Sequence, residues 1–169
     1  MPDHEAAADP PSKPVAIPES TIDMPELAVS IELDEDSVTA GSNLHGVARL
    51  SNHGSGRVAF VTGAMLGGIR PEHSRYVAGD FAGWVAPAGI VVDLAPGGTR
   101  ELHVLVGTKP CGPDGVVPPG RYETVIRIPI TFHDEDGHPS AHHLLVRPGP
   151  WVTVRAQRRH GTTGRPTRT

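Results

Sequence analysis

The sequence is poor in sulfur, lysine and aromatic side chains. Among 169 residues there is one cysteine, Cys111. No disulfide can form within the chain, and the redox compartment leaves no mark on it. Lys13 and Lys109 are the only lysines, so nearly all positive charge is carried by arginine. Two Trp, two Tyr and three Phe supply the aromatics. No run approaches the roughly 18 apolar residues that a membrane-spanning helix needs. The opening Met1-Pro2-Asp3-His4-Glu5 has neither the basic nor the apolar region of a secretory signal. The expected location is therefore the cytoplasm by default; a start site further upstream would reopen an extracytoplasmic one.

Catalytic signatures are missing as well. There is no Gly-x-Ser-x-Gly elbow, and Gly54-Ser55-Gly56 reads as a flexible turn. No Gly-rich loop is followed by the Lys and Ser or Thr of a phosphate cradle. Cys111 sits beside Lys109, which could lower a thiol pKa, but no base is placed near it by sequence. The expectation is a non-enzymatic chain without a cofactor.

What is plentiful is glycine and proline, 20 and 18 residues, scattered without period. Each costs a helix interior about 1 or 3 kcal/mol, so long helices are disfavoured and short strands with tight turns are favoured. The alternation is strand-like throughout. Leu27, Val29, Ile31 and Leu33 alternate with polar or small residues, and Leu44 to Leu50 repeats the pattern before the turn cluster Asn52 to Gly56. Further strands are read over Arg57 to Leu66, Ile90 to Leu94, Leu102 to Val106, Tyr122 to Ile130, and Leu144 to Val154. The last is broken by Pro148-Gly149-Pro150, which suits an edge strand or one that changes sheets. Residues 67–88 read as irregular. About seven strands at this spacing indicate an all-β fold, an antiparallel immunoglobulin-like sandwich over residues 27–155. Residues 1–26, acidic and rich in Pro and Ala, and residues 156–169, rich in Arg, Gly and Thr, are expected to be disordered tails.

Charge is polarised along the chain. Residues 1–36 carry −9, residues 37–154 are neutral, and residues 155–169 carry +5, making up the net −4. A neutral body does not suit phosphate recognition. Nucleic acid, if touched at all, would meet the arginines of the C-terminal tail, and the expected partner is another protein. The oligomeric state is left open.

Three phrases carry a resemblance: Val38-Thr39-Ala40-Gly41-Ser42 running on to Asn52, Leu94-Ala95-Pro96-Gly97-Gly98-Thr99, and Val117-Pro118-Pro119-Gly120-Arg121-Tyr122. They resemble bacterial immunoglobulin-like or fibronectin type III-like domains and, distantly, the intracellular proteinase inhibitors of bacteria. The overall composition resembles that of actinobacterial proteins. The resemblance implies a β-sandwich and a tyrosine corner at Tyr122. It implies no site residues.

Two candidate sites follow from the residues themselves. Tyr76, Phe81 and Trp84 lie in the irregular 67–88 stretch, where aromatics either anchor a partner or cover one end of the core. His133, His138, His142 and His143 crowd a loop between two strands and could ligate zinc, nickel or copper. The bland alternative for that loop is a solvated hairpin turning at Asp136-Gly137, and no known zinc spacing is matched.

Overall fold

A computed structural model describes residues 14–86, 89–112 and 115–157. These residues form an all-β fold with eleven strands and no helix. The sheet is mixed rather than purely antiparallel, since Ser37–Thr39 pairs parallel with the end of Pro139–Arg155, and Met65–Arg70 with Thr99–Gly107. One layer contains β1 (Leu27–Leu33), β3 (Asn43–Asn52) and β8 (Thr99–Gly107), paired antiparallel in the order β1-β3-β8. The other runs β2-β11-β10-β4-β7, built from β2 (Ser37–Thr39), β4 (Val58–Thr62), β7 (Ile90–Leu94), β10 (Gly120–His133) and β11 (Pro139–Arg155). β5 (Met65–Arg70) joins the layers along one side. It pairs antiparallel with β10 and parallel with β8, so the whole sheet curls into a half-barrel. Two short strands, β6 (Gly79–Asp80) and β9 (Lys109–Pro110), pair with each other, and β6 also pairs with β5.

The alternation in the sequence becomes the inside and outside of this sandwich. Along β3 every second residue from Leu44 to Asn52 is buried, because successive strand side chains point to opposite faces. Leu50, Met65, Ile69, Ile126, Ile128, Ile130 and Leu145 are among the largest fully buried side chains. Each contributes about 1.5–3 kcal/mol by leaving water, and together they dominate the stability. Pro148 and Pro150 fall on β11 next to a bulge against β10, between Glu123 and Val125. There the Thr124 hydroxyl donates to the Pro150 carbonyl at 2.8 Å.

The structure has more strands than the seven expected. Ser37–Thr39, which is not among the strands read from the sequence, is β2 and pairs parallel with the end of β11. Residues 67–70, read as irregular, complete β5. Gly67 and Gly68 resemble a strand breaker, but here they permit close packing. A Cβ at Gly67 would lie 2.6 Å from Ile126 Cδ1, and one at Gly68 would lie 2.6 Å from the Gly79 carbonyl oxygen. Glycine in a strand often marks such an approach of another backbone.

Residues 14–26, grouped with the tail by composition, make specific contacts. Ile17 N–H donates to the Arg75 carbonyl and Val77 N–H to the Val15 carbonyl, on either side of an Ala16–Tyr76 bridge. The Ser20 and Thr21 hydroxyls then accept from the Val146 and Leu144 N–H groups of β11, at 2.9 and 2.8 Å. Met24 is buried in the core and Ile22 packs against it. Hydroxyl side chains here satisfy the free edge of β11, a contribution that composition does not reveal.

Among the described residues the buried polar side chains are Asn52, Thr62, Thr108 and Thr124. Asn52 does the most. Its Nδ2 donates to the Gly56 and Leu94 carbonyls at 2.7 and 3.0 Å, and its Oδ1 accepts from Gly54 N–H at 2.9 Å. Its own backbone exchanges hydrogen bonds with Gly97 and Gly98. The tyrosine corner is present, with the Tyr122 hydroxyl donating to the Pro118 carbonyl at 2.7 Å.

Asn52→Ala removes three side-chain hydrogen bonds and strands buried partners. It should lower the unfolding free energy by about 3 kcal/mol, read as a lower urea midpoint with an unchanged slope. Tyr122→Phe removes one bond and should cost about 1 kcal/mol.

Candidate functional site

The outward side of the β2-β11-β10-β4-β7 layer carries an exposed apolar residue, Val91. Val91 on β7 pairs with Val61 on β4, and Val61 pairs with Thr131 on β10. Directly paired residues share a face, so Val91, Val61 and Thr131 form one outward row. A shallow groove of about 450 Å³ lies there, lined by Val61, Ala64, Leu66, Val85, Ala86 and Thr131. Trp84, at the start of the loop that borders it, is 83 % exposed, and Val91 is 60 % exposed. Arginines hold the rim: Arg57 Nε donates to the Asp93 carboxylate at 2.6 Å, and Arg100 caps the Val91 carbonyl. The Arg57 guanidinium holds the Asp93 carboxyl below its ordinary range.

A second, larger groove of about 790 Å³ lies between residues 16–20 and the same layer. Its walls include Tyr76, Arg75, Arg70, Val125, Val146 and Pro148. Arg70 is paired with Glu123, and Arg127 with Asp80, by bonds of 2.5–2.7 Å; all four side chains are mostly buried. Of the two arginines that line this groove, Arg70 is committed to Glu123 and Arg75 is exposed.

The three aromatics chosen from sequence have separate surroundings. Tyr76 bridges to Ala16 and is 49 % exposed. Phe81 is half-buried, with its backbone packed so tightly on the end of β8 that a Cβ at Gly107 would sit 2.2 Å from Phe81 Cα. Trp84 projects freely. The backbone of Phe81 thus packs on the end of β8, while Tyr76 and Trp84 leave apolar surface in water.

The four histidines are also divided. Thr131 pairs with His142 and Ile130 with His143, which puts His142 and His143 on opposite faces of the hairpin. His142 Nδ1 lies 3.0 Å from the Thr131 hydroxyl, and His143 meets the Phe132 ring edge-on. His133 is at the end of β10, opposite Pro139. Of the four, His138 is brought close to carboxylates: one ligand atom each of Asp134, Asp136 and His138 lies within 4.8 Å of the others, all exposed. Asp134 Oδ1 also accepts from the Asp136 and His138 N–H groups, which shapes the turn at Gly137. The alternating acid-x-acid-x-His spacing was the signal for this smaller set.

Cys111 Sγ lies 3.6 Å from the Lys109 carbonyl oxygen. Burial, and then the charge of Asp80, push its thiol above the ordinary value. That is opposite to the activation a neighbouring lysine could have given. Burial likewise raises Tyr122. Of the C-terminal arginines only Arg155 falls among the described residues; Arg158, Arg159, Arg165 and Arg168 lie outside them.

No family model matches the chain, and no curated protein matches it. Solved structures are similar at low identity. Spo0M, a sporulation control protein from Bacillus subtilis, is 10% identical with a TM-score of 0.44, over 79% of this chain and 51% of its own. The alkylpurine DNA glycosylase AlkC of Pseudomonas fluorescens, bound to DNA, is 11% identical with a TM-score of 0.42, over 78% and 31%. The PapD-like domain 7 of human CEP192 is 16% identical with a TM-score of 0.32, over 92% and 100%. The chain spans about a third of the length of AlkC and half that of Spo0M.

Both raised groups release their protons later when folded than when unfolded. Above the ordinary thiol and phenol values the unfolded chain holds fewer protons, so stability falls as pH rises there. Urea midpoints should drop between neutral pH and the tyrosine titration range. The double variant Cys111→Ser, Tyr122→Phe should flatten that drop; an unchanged slope would place the alkaline loss elsewhere.

Proposed function

We propose that this chain is a non-enzymatic protein-interaction module of the bacterial immunoglobulin-like or fibronectin type III-like kind. It takes a protein partner on the outward face of β4, β5 and β7, with Trp84 as the anchor. The observation that carries this reading is Trp84 itself, 83 % exposed beside an apolar groove. Tryptophan is enriched among the few residues that dominate interface energy, and it contributes when a partner supplies a pocket around it. The exposed Val91 on β7 adds an apolar contact, and the outer edge of β7 offers main-chain groups to an incoming strand. The shifted ionisable groups have local causes. They are surface ion pairs, a thiol pushed toward its neutral form, and a structural tyrosine.

The partner chemistry follows from the face: an apolar side chain or extended segment. The Arg57–Asp93 pair and Arg100 give the rim a polar boundary. A second reading, a metal-binding protein, is favoured by one observation, the Asp134, Asp136 and His138 cluster. A structural subunit that pairs with its own copy through this face is the remaining alternative, and sedimentation at several concentrations separates it from a hetero-partner.

The test uses the full chain as bait. Trp84→Ala should weaken capture of its partners about thirtyfold or more, matching a loss of about 2 kcal/mol or more at an anchoring residue. Its melting temperature should match that of the parent, because the ring is in water. Unchanged partners with Trp84→Ala and with Val91→Asp would remove this face from consideration.

A further inference from the structure

We propose that His45 and His103 form a zinc site on the outward face of the opposite layer, β1-β3-β8. The two residues are 58 apart in sequence, and the β3–β8 pairing makes them neighbours. His45 pairs with Leu105 and Val47 with His103, so the imidazoles stand diagonally on one exposed face. The register runs without a shift from Asn43↔Gly107 to Ser51↔Thr99, so both side chains rise from a regular ladder rather than a loop. His45 Nδ1 and His103 Nε2 lie 3.3 Å apart, with ring centroids 5.3 Å apart and planes tilted by 41°.

That separation has a chemical meaning. Zinc binds imidazole nitrogen at about 2.0–2.1 Å in tetrahedral geometry. Two such bonds to nitrogens 3.3 Å apart subtend an angle of about 107°, near the tetrahedral value. A square-planar ion with adjacent nitrogens would need roughly 2.8–2.9 Å between them. The spacing matches a tetrahedral bite, but as placed the two nitrogens face each other in a hydrogen bond. Holding zinc requires both rings to turn their lone pairs to one ion, with water completing its coordination. Without metal the two nitrogens form one hydrogen bond, so one of them carries the proton. Zinc needs both lone pairs, and the donating ring meets this by shifting its proton to its other nitrogen, with no net loss of charge from the rings.

The surroundings do not oppose a dication. Arg49 and Glu101, next on the same face, neutralise each other through bonds of 2.6 and 3.0 Å. Glu32 on β1 pairs with Val47, which pairs with His103, so a carboxylate lies in the same cross-strand row. This site is on the layer opposite the proposed partner face, and it shares no residue with the His133–His143 hairpin.

The experiment is calorimetric titration of the untagged full chain with zinc chloride alone, in a buffer that does not chelate. Imidazole proton resonances are followed in parallel. One zinc should bind and shift the ring signals of His45 and His103. His45→Gln and His103→Gln should each weaken that event at least tenfold, while the double variant Asp134→Asn, His138→Gln should retain it. Both histidines are exposed on the sheet surface, so the fold should survive either change, checked by an unchanged melting temperature without metal. Zinc affinity equal to the parent's in both histidine variants, or no zinc binding by the parent, would overturn the proposal.

Discussion

The fold depends on one buried amide. Asn52 ends β3 in one layer, yet its side chain reaches the Leu94 carbonyl at the end of β7 in the other, and it also ties down the turn that leads into β4. Its backbone holds the Gly97-Gly98 turn that starts β8. Four segments thus meet at a residue with no exposed surface. Apolar burial supplies most of the stability and fixes which face of each strand turns inward, but it is not directional. A buried amide with every bond satisfied is directional, and leaving its partners unpaired would cost about 1–3 kcal/mol for each group. The sandwich is glued by its aliphatic residues and aligned by Asn52.

That node also gives two of the resemblance phrases a physical content. The first phrase runs to Asn52, the second contains Gly97 and Gly98, and the two bond to each other. Gly97 has φ +75°, a left-handed conformation that glycine adopts without strain. The third phrase ends at Tyr122 and forms the corner to Pro118. The all-β class and the long strands were legible because alternation at period two is a local signal. β2, β6 and β9 were not, because strands of two or three residues exist only through distant pairing. The contacts of residues 14–26 escaped for the same reason: Ser20 and Thr21 act through strand β11, more than a hundred residues away.

The candidate sites show the same limit more sharply. Sequence proximity grouped four histidines, yet the strand alternation separates His142 from His143 and gives each a neighbour of its own. Sequence distance hid His45 and His103, which the ladder sets side by side. Trp84 was legible as an unusual residue in an irregular stretch, but its exposure was not. Only the fold separates Phe81, half-buried with its backbone against Gly107, from Trp84, which faces water.

The two layers therefore have different outward faces. One carries the Arg49–Glu101 ion pair and the histidine pair; the other combines ion pairs such as Arg57–Asp93 with apolar surface around Trp84. The central claim is that the apolar face is where a partner sits. Hydrogen exchange of the chain, free and in complex with a captured partner, tests it most directly. New protection should be confined to β4, β5, β7 and the residues around Trp84. Protection spread over β1, β3 and β8 instead, with β7 exchanging as in the free chain, would contradict it.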